Sequence, residues 1–599
     1  LPQDKKEQQL VDSQAMMESM QDFADRSQRI MTKFLDQQKD DDGFQIPDPQ
    51  VVGKAFMKAT TQLMQDPQKL AQAQANLWKE YTNLWQHVTQ RMMGQESDPV
   101  AVPVKGDRRF KDDAWEEEIY FDAVKQYYLL TARWIKDTMS DVKGVDENTQ
   151  KKVDFYTRNF VQSMAPSNFA TTNPAVLKEA VDTQGQSLLK GFQNFMEDLE
   201  AGKGKLKVSM TDETAFELGV NVATTPGKVV FQNELMQLLQ YTPSTEKAAR
   251  TPLLIVPPWI NKFYVLDLQP KNSYIKWAVD QGHTVFVISW INPDEKLAHK
   301  DFSSYMQDGP LNAIDVIQEI TGEDQVNMVG YCIGGTLTAC TLAYLAETKQ
   351  ADKVKSATLF TTLTDFTDCG ELRVFIDDEQ MDILDAHMEK KGYLEGSQMS
   401  QVFNLLRAND LVWSFFVSNY LLGKEPFPFD LLYWNSDPTR MPAMMHKFYL
   451  RKMYLENKLV EPDGIELAGV PIDLRKVKTP MYMISTYDDH IAPWKSTYQA
   501  TQLYSGSVKF VLGGSGHIAG VINPEKSGKY GYWTNTKKPN DADAWLSSAQ
   551  KHDGSWWQDW KKWVSKHSGG KVDARTPGSE KFKPIEDAPG SYVKVRMTE

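Results

Sequence analysis

At 599 residues, with 41% hydrophobic and 25% charged side chains, the chain is too long for one compact core, so two or more domains are expected. A net charge of −13 argues against general nucleic-acid binding, and no apolar run approaches the roughly 20 residues of a membrane helix. Three cysteines, at 332, 340 and 369, make no disulfide framework, so a reducing, cytosolic setting is expected. No Cys/His spacing suggests a zinc site. The opening Leu1-Pro2-Gln3-Asp4-Lys5-Lys6 has no signal-peptide pattern, and the absence of an initiator Met reads as a processed or trimmed start.

Residues 1–95 are rich in Gln, Met, Lys and Asp. Apolar residues recur there at helical spacing: Phe23, Ile30, Met31 and Phe34, then Phe56, Leu63, Leu70, Leu77 and Leu84. Asp40-Asp41-Asp42-Gly43 and Pro47-Asp48-Pro49 interrupt the pattern. The segment reads as a variable helical extension, either a dimerisation or packing arm or an amphipathic contact with an apolar surface. It is not basic enough for a lipid-headgroup version. Residues 96–212 read as a helical N-terminal domain. Ala165-Pro166-Ser167-Asn168-Phe169 and Thr172-Asn173-Pro174 act as capped turns, and Gly202-Lys203-Gly204-Lys205 as a linker.

From residue 213 to 599 the period changes to that of strands alternating with helices, the pattern of a parallel α/β sheet. Val229-Val230-Phe231 and the run from Met236 to Tyr241 are short strands. Pro252 to Val256, Thr284 to Trp290 and Gln325 to Val329 are apolar runs suited to central strands. Val354 to Thr361, Met481 to Thr486 and Val508 to Leu512 continue the series. Residues 367–475 interrupt it with an aromatic-rich insert that includes Trp413, Phe415, Phe416, Tyr420, Phe427, Phe429, Tyr433 and Trp434, placed where a lid or cap is expected. The tail carries Trp545, Trp556, Trp557, Trp560 and Trp563, expected as a last helix on the sheet. Residues 569–599 are turn-rich and expected to be loosely specified.

The strand ending at Val329 runs into Gly330-Tyr331-Cys332-Ile333-Gly334-Gly335, with a helical pattern from Leu337. This is the Gly-x-nucleophile-x-Gly turn of the α/β-hydrolase fold, with Cys where Ser is usual. The turn puts Cys332 at a helix N-terminus, which favours a thiolate. In that fold the acid ends a later strand and the histidine follows the last one. Of nine histidines, His517 follows Val511-Leu512-Gly513-Gly514-Ser515-Gly516. Asp488 and Asp489 both follow the strand ending at Thr486, and Asp489 is preferred. His490, next to the acid, is a supporting group or a rival base. The backbone N–H of Ile333 and that of Trp259 or Ile260, just past Pro257-Pro258, are candidate oxyanion donors, since proline has none. A thiolate attacking a thioester gives another thioester, which fits acyl transfer better than plain hydrolysis.

These residues resemble one family closely, the class I polyhydroxyalkanoate synthases. Besides the cysteine turn, the resemblance is carried by Pro257-Pro258-Trp259-Ile260-Asn261-Lys262-Phe263-Tyr264, Asp489-His490-Ile491-Ala492-Pro493-Trp494, Gly516-His517-Ile518-Ala519-Gly520, Pro166-Ser167-Asn168-Phe169, Thr225-Pro226-Gly227 and Pro589-Gly590-Ser591-Tyr592-Val593. It covers roughly residues 100–599. It implies an acyltransferase that polymerises (R)-3-hydroxyacyl-CoA, such as short-chain 3-hydroxybutyryl-CoA, with CoA as product and no cofactor or metal. Cys332 would carry the acyl chain and His517 would deprotonate it. Asp489 would orient His517 or help activate the substrate hydroxyl. The resemblance further implies a homodimer through the catalytic domain, and a cytoplasmic location on polyester granules with granule-associated proteins as possible partners. A polyanionic CoA substrate calls for basic side chains near the entrance, for which Arg373, Arg407, Arg440 and Arg451 are candidates. The rival readings are a thioesterase or depolymerase with the same three residues, and a granule scaffold with a vestigial site.

Overall fold

The computed structural model describes residues 46–596. The apolar positions Phe23 to Phe34 and the break at Asp40 to Gly43 lie outside the described residues. The chain divides into two compact units. One holds the described residues up to Asp212 together with Phe403–Phe427, the other Glu213–Val402 and Pro428–Glu599.

The first unit is helical. Asp48 and Asp66 cap α1 (Pro49–Met64) and α2 (Pro67–Met92) by accepting N–H bonds from Gln50 and Lys69, and each helix begins with proline, whose missing N–H is no loss at that position. Leu77, Leu84 and His87 form the buried face of α2, which packs on α3 (Ile119–Met139). Asp146 caps α4 (Glu147–Ser163). Residues 403–427, expected as part of the catalytic domain's insertion, belong here instead. Asn194 and Asp198 of α5 (Gln186–Ala201) explain why: Asn194 Nδ2 donates to Asn419 O at 3.0 Å, and the Tyr420 hydroxyl donates to Asp198. The Tyr420 ring meets Phe195 edge-on, with centroids 5.4 Å apart.

The second unit has the α/β-hydrolase architecture. Its main sheet contains, in chain order, β1 (Gly227–Gln232), β2 (Met236–Tyr241), β3 (Leu253–Val256), β4 (Val285–Trp290), β5 (Val326–Tyr331), β6 (Val354–Phe360), β7 (Met481–Thr486), β8 (Val508–Gly513), β9 (Tyr532–Thr534), β10 (Gln550–His552) and β11 (Glu586–Asp587). The spatial order is β10-β9-β8-β7-β6-β5-β3-β4-β2-β1-β11. The run from β4 to β8 is parallel and both flanks are antiparallel. β3, β4, β5 and β7 are buried at every position, which is why they read as unbroken apolar runs rather than as alternation.

The tail is better fixed than its turn-rich composition suggests. β11 pairs with β1, and Lys571–Asp573 pairs with Lys247–Ala249. The Gln237 amide gathers the last turns: Nε2 donates to Glu586 Oε1 at 2.6 Å and Ser591 Oγ at 3.0 Å, while Oε1 accepts from Tyr592 N at 3.1 Å. The partners are supplied from over 320 residues upstream, so no local pattern announces them.

Candidate active site

β5 ends at Tyr331 and α6 (Ile333–Glu347) begins two residues later. Cys332 lies between them at φ 53° and ψ −123°, a conformation that costs a non-glycine residue about 1–3 kcal/mol and persists only when its surroundings enforce it. They do: Cys332 N donates to Phe360 O at 3.0 Å, and its carbonyl accepts from Gly335 N at 2.9 Å and Thr336 N at 3.1 Å. A Cβ on Gly330 would stand 2.5 Å from Gly335 Cα, and one on Gly334 would stand 2.3 Å from Val256 O. Only glycine lets strand, turn and helix approach so closely. Cys332 is half-buried, whereas Cys340 and Cys369 are buried, and burial pushes the Cys340 thiol far up and leaves it inert.

β7 and β8 run parallel with Thr486 opposite Gly513, so the loops beyond them leave the sheet side by side. Asp489 stands in the first loop with its carboxyl wholly buried. Oδ1 accepts from Ile491 N at 2.9 Å and Ala492 N at 2.8 Å, and Oδ2 lies 2.7 Å from His517 Nδ1. Thr486 Oγ1 also donates to Oδ2, at 3.3 Å. Asp488, the alternative acid, points to solvent, and its N–H donates to Ser515 O at 2.9 Å. His490 is half-buried.

With Nδ1 committed to Asp489, the other nitrogen of His517 serves its hydrogen bond with Cys332. Burial alone would pull the imidazole pKa down. The Asp489 carboxylate, the charge on the Cys332 sulfur and the hydrogen bonds to both outweigh it and push the pKa up to about 10. The ring lies over Tyr331, centroids 5.7 Å apart, and the Tyr331 hydroxyl donates to His517 O at 3.2 Å. Behind the loop stands the tryptophan-rich tail. Trp556 Nε1 donates to Gly520 O at 3.0 Å, and Trp557 Nε1, at the start of α7 (Trp557–Val564), donates to Val521 O at 2.9 Å.

The Val256–Pro257 backbone touches the first turn of α6 at Gly334, so the two segments expected to supply oxyanion donors meet. Ile333 opens α6, and its N–H has no acceptor within the helix. Trp259 and Ile260 follow on the facing loop. The Trp259 ring packs 4.6 Å from Tyr305 and 5.4 Å from Trp290, while Thr439 Oγ1 donates to the carbonyls of both Trp259 and Ile260. Two residues on, Lys262 is buried with Nζ 2.7 Å from Asp437 Oδ1 and 2.9 Å from Val595 O. Trp434 Nε1 donates to Lys262 O at 2.7 Å. Asn261-Lys262 therefore holds the loop shape, a role its sequence did not reveal.

Sequence reasoning also missed Tyr449 and Tyr454. Both are buried, and the charge of Cys332 is felt by both hydroxyls. The Tyr449 hydroxyl bonds with Tyr454 and Thr336, and burial first, then the Cys332 charge, raises its pKa. Phe366 closes the cluster at 4.8 Å from the Tyr454 ring. The four arginines suggested for CoA already have protein acceptors. Arg373 donates to Tyr454 O and Arg407 to Asp410. Arg440 Nε donates to Glu395 at 3.1 Å and Arg451 Nε to Asp385 at 2.6 Å. Among the described residues, no group of three or more His, Cys, Asp or Glu side chains could hold a metal ion, and no helix is long and apolar enough to cross a membrane.

Residues 106–278 match the family profile described as poly-beta-hydroxybutyrate polymerase (PhaC) N-terminus, and residues 226–524 match the alpha/beta hydrolase fold. The poly(3-hydroxyalkanoate) polymerase subunit PhaC of Rhizobium meliloti is 48% identical, over 93% of this chain and 90% of its own length. The poly(3-hydroxyalkanoate) polymerase of Methylorubrum extorquens is 47% identical, over 89% and 88%. The corresponding subunit PhaC of Cupriavidus necator is 41% identical, over 88% and 89%. The similarity runs through the helical unit, the cysteine turn and both loops that carry Asp489 and His517, and on it the chain belongs to the poly(3-hydroxyalkanoate) polymerase family.

Proposed function

We propose that this chain polymerises (R)-3-hydroxyacyl-CoA, with a short acyl side chain as in 3-hydroxybutyryl-CoA, through an acyl–Cys332 intermediate. The observation that carries the reading is the line from Asp489 through His517 to Cys332, with the ring proton held by charge on both sides. The Cys332 sulfur attacks the thioester carbon, and the oxyanion is received by the N–H of Ile333 and that of Trp259 or Ile260. CoA leaves as a thiolate and takes the proton from His517. The neutral ring then accepts the proton of the 3-hydroxyl that attacks the acyl–Cys332 thioester, and an ester bond forms as the Cys332 thiolate is released. Both oxygens of Asp489 are engaged, by His517 and by two backbone N–H groups, which favours an orienting role over direct activation of the hydroxyl. The buried rings of Tyr449, Tyr454 and Phe366 near Cys332 favour a small side chain on the substrate.

Family membership rather than geometry supports the remaining assignments: a homodimer through the catalytic unit, cytoplasmic residence at the polyester granule surface, and contact with granule-associated proteins. A hydrolase with the same three residues would release free hydroxy acid. The deciding experiment supplies 3-hydroxybutyryl-CoA to wild type and Cys332→Ala, follows CoA release and recovers the product. Release that requires Cys332 and leaves insoluble polyester is expected. Release that yields only free acid would overturn the polymerase reading in favour of hydrolysis.

A further inference from the structure

The loop after β3 that carries the two candidate oxyanion donors, Trp259 and Ile260, is gripped by one short stretch of the same catalytic unit, residues 434–439. Thr439 supplies the closest hold. Its hydroxyl donates to Trp259 O and, at 2.8 Å, to Ile260 O, and its N–H donates to Ile260 O at 3.2 Å. Trp434 Nε1 donates to Lys262 O at 2.7 Å, and Asn261 Nδ2 donates back to Trp434 O at 3.4 Å. Asp437 completes the set, with Lys262 Nζ 2.7 Å from Oδ1 and the Tyr264 hydroxyl donating to Oδ2 at 3.2 Å. The stretch is itself anchored. Arg440 N donates to Asn292 Oδ1 at 2.9 Å, just past the end of β4, and Asp437 and Thr439 are both buried.

A carbonyl held on one side of a peptide fixes the amide on the other. The unit is planar and trans, so the C=O of one residue and the N–H of the next point in opposite directions. By holding Trp259 O, Thr439 sets the direction of the Ile260 N–H. By holding Ile260 O, it sets that of Asn261 in the same way. The start of the loop adds no grip of this kind, since Pro257 and Pro258 have no N–H to donate. Among the described residues, no backbone acceptor meets the Ile260 N–H, while the carbonyls on either side of it are both bonded. That division suits a donor reserved for a reacting oxygen. Aim matters at such a donor: a displacement of about 1 Å can cost on the order of 10²-fold in rate. The partners of Thr439 are loop carbonyls and not reacting groups, so its part is to position.

We propose that Thr439 is a positioning residue for acyl transfer: its hydroxyl holds the Trp259 carbonyl so that the Ile260 N–H is aimed at the developing oxyanion. This role presupposes the acyl–Cys332 chemistry proposed above, and the test keeps the two apart. On the full chain, CoA release from 3-hydroxybutyryl-CoA gives kcat and KM. Alkylation of Cys332 by iodoacetamide reports the thiolate alone, because sulfur displaces iodide from carbon and no oxyanion forms. Thr439→Val keeps the side-chain shape and removes the hydroxyl. It should lower kcat by about 10–100-fold with KM within about threefold of wild type, since attack on the CoA thioester and transfer to the 3-hydroxyl both pass through an oxyanion. The alkylation rate and its pH profile should stay near wild type. Thr439→Ser restores the hydroxyl and should bring kcat back to within about threefold of wild type. Should the valine variant fail to fold, Thr439→Ala should show the same split with a loss of about tenfold. A folded Thr439→Val with wild-type kcat would overturn the proposal. So would a serine variant as slow as the valine one, or an alkylation rate that falls in step with kcat, which would make Thr439 a support of the whole site and not of the donor. A wild type that releases no CoA would overturn the acyl–Cys332 reading, and this role with it.

Discussion

Each unit of the molecule buries a histidine against an aspartate. In the helical unit, His87 Nε2 lies 2.9 Å from Asp122 Oδ2 and Nδ1 lies 3.0 Å from Ser97 Oγ, so a hydroxyl, an imidazole and a carboxylate stand in line. In the catalytic unit, His517 Nδ1 lies 2.7 Å from Asp489 Oδ2, with Cys332 beyond the ring. The distances barely differ, but the surroundings do. Asp122 also receives Arg91 at 2.7 Å, Lys125 at 3.2 Å and Gln126 at 3.0 Å, so its charge is neutralised by cations in a static knot joining α2 to α3. Asp489 is held by neutral N–H groups and leaves its charge to the imidazole. Ser97 lies in a loop without helical structure, whereas Cys332 is held in a strained turn at the start of a helix. What separates the two lines here is the set of groups around the carboxylate and the backbone under the residue beyond the ring.

The comparison can be broken most forcefully at the two outer residues. Cys332→Ala should lower CoA release by about 10⁴-fold or more, while Ser97→Ala should leave it within about twofold of wild type. Next come the rings. His517→Gln should cost roughly 10²–10⁴-fold in kcat/KM without loss of fold. Asp122→Asn in the helical unit should instead cost about 3–5 kcal/mol of stability by stranding Arg91 and Lys125, with the rate per folded molecule unchanged. Thermal melting beside a CoA-release assay separates the two.

A smaller effect sharpens the electrostatics. The pKa of His517 is raised in the folded protein from the ordinary 6.5 to about 10. The stability this contributes is therefore fully present below about pH 6.5 and is lost as pH rises through about 10. The gap in Tm between wild type and Asp489→Asn should narrow over that window, and a gap constant with pH would contradict the charged pair. The smallest effect is expected behind the loop. Trp556→Phe removes one hydrogen bond to Gly520 O and should cost about 0.5–1.5 kcal/mol of stability.

Strand ends carried most of what the sequence could tell. Cys332, Asp489 and His517 each follow a buried apolar run, and Met481–Thr486 coincides with the expected strand, because a central parallel strand leaves an unbroken hydrophobic signature. Of the two adjacent aspartates after that strand, Asp489 turns inward and Asp488 faces solvent. Tyr449 and Tyr454 gave no such signal. They lie more than 110 positions from Cys332, in an aromatic-rich stretch where any ring reads as packing. Residues 403–427 were misplaced because the groups that hold them, Asn194 and Asp198, lie about 220 positions away and obey no period.

The pairing of the tail with β1 has a temporal side. Lys228 and Asp587 face each other across that edge, 359 positions apart. A ribosome adding roughly 5–20 residues per second takes about 20–70 s to pass from one to the other. Throughout that interval β1 waits with one edge unpaired. Lys262, which steadies the loop beside Cys332, also waits for Val595 O, 333 positions further on. The nascent chain thus carries its cysteine turn long before the loop beside it is secured.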